Sequence, residues 1–128
     1  MGSKTRKGWL YMMRFGHIEL FVRDPLKAKE FYEEILGVEV IFVQEGQFVW
    51  LKIGDTEIML RPGNPHPVGK TYQEANAAIV LYTDDLDTTA ATLRARGLTF
   101  QGTDGTDKCL TFQDIDGNWF QLVNPQDH

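Results

Sequence analysis

Apolar and polar positions alternate in one stretch of the chain and fall three to four apart in the next, and this exchange happens twice. Arg14-Phe15-Gly16-His17-Ile18-Glu19-Leu20-Phe21-Val22 carries the period of two that predicts a strand. It runs into Asp24-Pro25, a capping residue followed by the residue whose missing N–H is no loss at the first helical position. Ala28, Phe31, Ile35 and Leu36 then form one apolar stripe, which predicts a helix closed at Gly37, and three strands follow. From Ala77 the order repeats. Ala77-Ala78-Ile79-Val80-Leu81-Tyr82-Thr83 reads as a strand, and Asp84-Asp85-Leu86-Asp87 opens a helix over about 86–96. Gly97 closes that helix 60 positions after Gly37. Each half ends in a hairpin, the first from 48–53 through Gly54-Asp55 into 56–61, the second from 110–115 through Asp116-Gly117-Asn118 into 119–123. Between the halves, residues 62–70 hold too much Pro and Gly for regular structure. One domain over 1–128 is expected, with a module at about 13–61, a linker at about 62–75 and a second module at about 76–125.

Strand alternation assigns the faces. Ile18, Leu20, Val22, Val49, Leu51, Ile53, Ile58 and Leu60 fall on the side that the helix covers, leaving His17, Glu19, Phe21, Phe48, Trp50, Lys52, Glu57, Met59 and Arg61 on the other. Carrying the same phase into the second half places Ala78, Val80, Tyr82, Leu110, Phe112, Trp119 and Gln121 on that non-helical face. A sheet face bearing Phe48, Trp50, Tyr82, Phe112 and Trp119 is too apolar to stay in water and predicts a ligand, a second module or a second subunit against it.

Composition narrows the choice of partner. The chain has a formal charge of −5, so it lacks the broad basic surface that phosphate backbones require, and nucleic-acid binding is not expected. No apolar run reaches the roughly 18 residues of a membrane span, and the N-terminal residues lack the apolar core of a signal peptide, so a cytoplasmic protein without membrane contact is expected. The single cysteine, Cys109, gives no disulfide framework and has no imidazole nearby in sequence to activate it. His66 in the linker and His128 at the end are poor ligands. His17 and Glu19, two apart on one strand face, are either an acid–base pair or a salt-bridged wall, and Glu57 is a second carboxylate on that face.

The pieces Gly16-His17-Ile18-Glu19-Leu20, Asp24-Pro25, Phe31-Tyr32-Glu33-Glu34-Ile35-Leu36-Gly37 and Asp114-Ile115-Asp116-Gly117-Asn118-Trp119-Phe120-Gln121-Leu122-Val123-Asn124-Pro125 resemble the vicinal oxygen chelate superfamily. That family includes glyoxalase I, bleomycin-resistance proteins, fosfomycin-resistance enzymes and extradiol dioxygenases. The resemblance implies an α+β fold of two tandem βαβββ modules forming a curved mixed sheet with helices on its outer face. It also implies four metal-ligand positions, one in the first and one in the last strand of each module, which here hold His17, Met59, Ala78 and Gln121. His17 and Gln121 are the candidate metal ligands, whereas Met59 and Ala78 are not plausible ones.

The expected function is therefore binding of a small aromatic or cationic molecule in a pocket lined by Phe48, Trp50, Met59, Arg61, Tyr82, Phe112 and Trp119, without a cofactor and without the family's full metal site. The alternative is a divalent-metal-dependent lyase, isomerase or dioxygenase that uses His17, Glu19 or Glu57 catalytically. A homodimer is expected, because the exposed sheet faces favour a symmetric partner, and residues 1–9, basic and with Trp9, are either an arm or an added dimer strand.

Overall fold

The alternating segments become strands β1 (Ile18–Val22), β2 (Glu39–Gln44), β3 (Phe48–Ile53), β4 (Thr56–Pro62), β5 (Ala78–Tyr82), β6 (Cys109–Gln113) and β7 (Trp119–Val123). The computed structural model describes residues 12–66 and 69–128, so the expected N-terminal arm with Trp9 lies outside the described residues. Helix α1 (Pro25–Glu30) starts as its sequence dictates, Asp24 Oδ1 accepting from the backbone N–H groups of Leu26 at 3.1 Å and Lys27 at 3.3 Å. It continues as one π turn over Phe31–Ile35, and the chain leaves it through Gly37 at φ +71. Helix α2 spans Leu86–Ala95 beneath an Asp85 cap, with Gly97 at φ +106 just beyond it.

The strands form two sheets, β1-β4-β3-β2 and β5-β7-β6, each with a parallel pair (β1 with β4, β5 with β7) and antiparallel hairpins. The second module lacks a full counterpart of β2. In its place residues 101–107, Gln-Gly-Thr-Asp-Gly-Thr-Asp, run beside β6 without becoming a strand: Gln101 N donates to Thr111 O at 2.7 Å, Thr111 N to Gly102 O at 3.2 Å and Asp104 N to Cys109 O at 2.8 Å, with one isolated bridge at Thr103 and Leu110, because two glycines at positive φ and a run of turn formers break the ladder. Both halves share one core. Ala28, Phe31 and Tyr32 from the first helical segment pack with Val49, Leu51, Ile58 and Leu60 of the first sheet and with Phe112, Phe120 and Leu122 of the second. Tyr32, fully buried, donates its hydroxyl to Asp114 Oδ2 at 2.6 Å, and Asp114 Oδ1 in turn accepts from the backbone N–H groups of Asp116 and Asn118 that shape the β6–β7 loop. Burial and the neighbouring Asp114 carboxylate push the Tyr32 hydroxyl well above its ordinary pKa, so it stays a donor.

One face assignment is overturned. Phe112 pairs with Phe120 and Leu110 with Leu122, so both lie on the helical side, and Phe112 is a fully buried core residue stacked on Phe120 at 5.1 Å rather than part of a pocket wall. The cause is loop length. A two-residue turn joins β3 to β4, whereas five residues join β6 to β7, so the phase of the first hairpin does not carry over to the second.

Candidate functional site

The non-helical face of the first sheet is built by neighbouring strands whose register places side chains in a row. Trp50 of β3 lies opposite Met59 of β4, Met59 lies opposite Glu19 of β1, and Phe42 of β2 lies opposite Trp50. Phe42 and Trp50 stack with ring planes 10° apart and centroids 5.9 Å apart, and Trp50 Nε1 is held by Gln44 Oε1 at 3.0 Å. His17, just before β1, tilts against Trp50 at 4.6 Å and bonds Glu19 Oε2 through Nε2 at 2.8 Å. Arg61 donates to Glu19 Oε1 at 3.2 Å and lies over the Phe48 ring at 5.7 Å. The result is a continuous strip, Phe42–Trp50–His17–Glu19–Arg61–Phe48, aromatic at both ends with an ion pair in the middle. Met59 is buried within it, and Glu57 sits at the exposed end of β4 opposite Lys52.

Electrostatically the strip is anchored by Glu19. The hydrogen bond from His17 is the largest effect on its carboxyl; partial desolvation opposes it, and the charge and hydrogen bond of Arg61 add to it, so the carboxyl stays below the ordinary value of 4.5. A lowered carboxyl keeps its charged contacts above the ordinary value and loses them as pH falls through the lowered one. The Glu19 side-chain carbon is therefore expected to titrate below 4.5 in an NMR pH series. His17→Ala should raise that midpoint more than Arg61→Ala does; an unmoved midpoint in both variants contradicts the ion-paired strip.

Trp119 and Gln121 sit on the non-helical face of the second sheet, but neither is open. The turn at Tyr72–Glu74 lies over them: the Tyr72 ring meets Trp119 edge-on at 5.9 Å, and Gln121 Nε2 donates to the Tyr72 hydroxyl at 2.9 Å and to Asp104 Oδ2 at 3.2 Å. Tyr82 stands apart and 65% exposed, with the His128 ring as its aromatic neighbour, and Ala78 is exposed. Of the expected pocket residues, Phe48, Trp50, Met59 and Arg61 gather with His17 and Glu19; Tyr82, Phe112 and Trp119 do not join them. Phe42, Tyr72 and Asp104 were not foreseen. The signal for Phe42 was available only through register: a bulge at Ile41 lets Val40 oppose Leu51 while Phe42 opposes Trp50, which turns Phe42 to the strip.

A family model described as the Glyoxalase/Bleomycin resistance protein/Dioxygenase superfamily matches residues 14–122, nearly all of the described chain. The chain belongs to this superfamily. Solved structures agree in fold. A lactoylglutathione lyase from Agrobacterium tumefaciens superposes with a TM-score of 0.66 at 17% identity, covering 91% of this chain and 96% of that one. The fosfomycin resistance protein FosX from Listeria monocytogenes, complexed with Mn(II) and sulfate, gives 0.67 at 20%, covering 88% and 90%. TnmS3, an antibiotic binding protein from a Streptomyces species, gives 0.61 at 27%, covering 88% and 98%.

The superfamily's metal positions can now be tested against the geometry. His17 spends Nε2 on Glu19, Met59 offers a buried thioether, Ala78 offers nothing, and the Gln121 amide points its nitrogen at Asp104 and Tyr72. Among the described residues no three His, Cys, Asp or Glu side chains converge. A divalent ion held by one imidazole and one amide oxygen lacks the three or four strong donors such sites use, so these residues do not fit the family's metal site. No described helix is long and apolar enough to cross a membrane.

Proposed function

We propose that this superfamily member binds a small planar aromatic compound, preferentially a cationic one, on the Phe42–Trp50–His17–Glu19 strip and that it does so without the family's metal. The observation that carries the reading is the strip itself: a stacked indole and phenyl pair beside the Glu19–Arg61 ion pair, on a sheet face with Phe42 49% exposed and Trp50 half-buried. Planar rings gain about 0.5–1.5 kcal/mol per aromatic partner beyond area burial, and a cation near an indole face about 0.5–2 kcal/mol. The likeness to an antibiotic binding protein supports a binding rather than a catalytic role. A metal-dependent lyase or dioxygenase draws support from fold kinship alone, since the donor set does not fit. A homodimer in which a second copy covers the exposed Ile41 and Val43 of the β2 edge, leaving Phe42 to the ligand, accompanies this reading. The test is an equilibrium titration with proflavine, a planar fluorescent cation, in the presence and absence of EDTA. Saturable binding of one dye per chain, indifferent to EDTA, is expected; absence of saturable binding overturns the reading.

A further inference from the structure

Strand β5 ends the second sheet: β7 pairs with one of its edges, and among the described residues no strand pairs with the other. Thr83 N donates to Val123 O at 3.0 Å, and the backbone groups of alternate residues in a strand face opposite edges. The backbone of Ile79 and Leu81 therefore faces β7, while the N–H and C=O of Val80 and Tyr82 point out from the open edge. The first sheet shows how such an edge is closed. Gly63 N donates to Val22 O at 2.9 Å, so Phe21 and Arg23 face the open edge of β1, and there the five-residue loop 114–118 meets them: Arg23 N donates to Asp116 Oδ1 at 2.9 Å, and Asn118 Nδ2 reaches Phe21 O at 3.5 Å. The capping residues Asp24 and Asp85 align the two modules, so Phe21 corresponds to Tyr82 and Arg23 to Asp84. The turn that corresponds to the loop, Gly54-Asp55, has two residues, and neither bonds the β5 edge.

The space left by the shorter turn is a cleft of about 740 Å³. Val80, Leu81, Tyr82 and Thr83 all line it, and since consecutive side chains point to opposite faces, a space that touches four in a row runs along the strand's edge. Its floor is aliphatic, from Leu36, Ile53, Leu93 and Leu122. Glu39 and Asp55 stand in its rim against Lys52, and Asp84 and Asp85 follow directly on Thr83, so the rim is acidic.

We propose that the open edge of β5 accepts an extended peptide segment of a partner protein as an added strand, with aliphatic side chains at alternate positions in the cleft and basic residues against its acidic rim. Three features select that occupant: backbone donors and acceptors spaced for a strand, an apolar floor that takes every second side chain, and an excess of carboxylates that attracts cations. None of the residues of the Trp50 strip lines this cleft.

The test titrates the full chain with the peptide acetyl-Lys-Val-Thr-Val-Thr-Val-Lys-amide and reads the backbone amides by NMR. In the free chain the Val80 and Tyr82 amides should exchange with solvent faster than that of Leu81, and the peptide should shift both saturably and slow their exchange about tenfold or more. An added strand bonds through one edge only, so of two peptides N-methylated at the valines or at the threonines, one should lose affinity about tenfold and the other keep it. Replacing both peptide lysines by glutamate should weaken binding about tenfold, and Asp55→Lys, in an exposed turn, should weaken the basic peptide about threefold. Absence of saturable binding, binding that leaves the Val80 and Tyr82 amides in place, equal affinity of the two N-methylated peptides, or indifference to both charge changes overturns the proposal. Shifts of the same amides when the free chain is concentrated would give the edge to a second copy of this chain and overturn it as well. Proflavine affinity should be the same with and without the peptide, so failure here leaves the Trp50 strip standing, and the reverse holds equally.

Discussion

Trp50→Ala is expected to weaken proflavine at least tenfold while changing the stability of the fold by less than about 2 kcal/mol. The indole is the hinge of the strip: it stacks on Phe42, supports His17, and is itself fixed by Gln44. Removing it takes away the ligand's main partner and the preorganisation of two neighbours, and a tenfold loss corresponds to only about 1.4 kcal/mol. The fold is spared because Trp50 is half-buried and lies on the face away from the helices, outside the shared core. Fluorescence titration together with urea unfolding measures both quantities on the same samples. Retained affinity in Trp50→Ala places the dye elsewhere.

Phe112→Ala is expected to do the opposite. This ring is fully buried, stacks on Phe120 with planes 6° apart, and meets Phe100 edge-on at 5.8 Å. Truncating a buried phenylalanine removes its transfer free energy and leaves a cavity, a cost of about 3–5 kcal/mol. That is a large share of the 5–15 kcal/mol by which a domain is usually stable. The folded fraction should still bind proflavine with native affinity. A small loss of stability joined to a large loss of dye binding would return Phe112 to the pocket wall and contradict the register of β6 against β7.

These two variants also mark how far the sequence could be read. The module repeat, both helix starts and stops, and the hairpins of each half follow from local rules, and the structure has Asp24, Pro25, Gly37, Asp85 and Gly97 in the roles those rules give them. The face of the first sheet was legible as well, because β3 and β4 are joined by a tight turn that preserves phase, so His17, Glu19, Trp50, Met59 and Arg61 come together as alternation predicts. What failed depended on parity. A five-residue loop before β7 and a bulge at Ile41 each shift the count by one, which hid Phe42 from the strip and moved Phe112 out of it. The Tyr72 cover was illegible for another reason: residues 69–77 carry no hydrophobic period, and their path is set by contacts to Asp104, Thr103 and Gln121 far away in sequence.

The central claim, that this superfamily scaffold serves as an aromatic binding face rather than a metal centre, is tested most directly by elemental mass spectrometry on untagged protein after incubation with Ni²⁺, Zn²⁺, Mn²⁺ and Fe²⁺ and removal of free ion. With His17 bonded to Glu19, and with Met59, Ala78 and Gln121 at the other three positions, retention far below one ion per chain is expected, unchanged in His17→Ala. Close to one ion per chain, lost in His17→Ala, would contradict it.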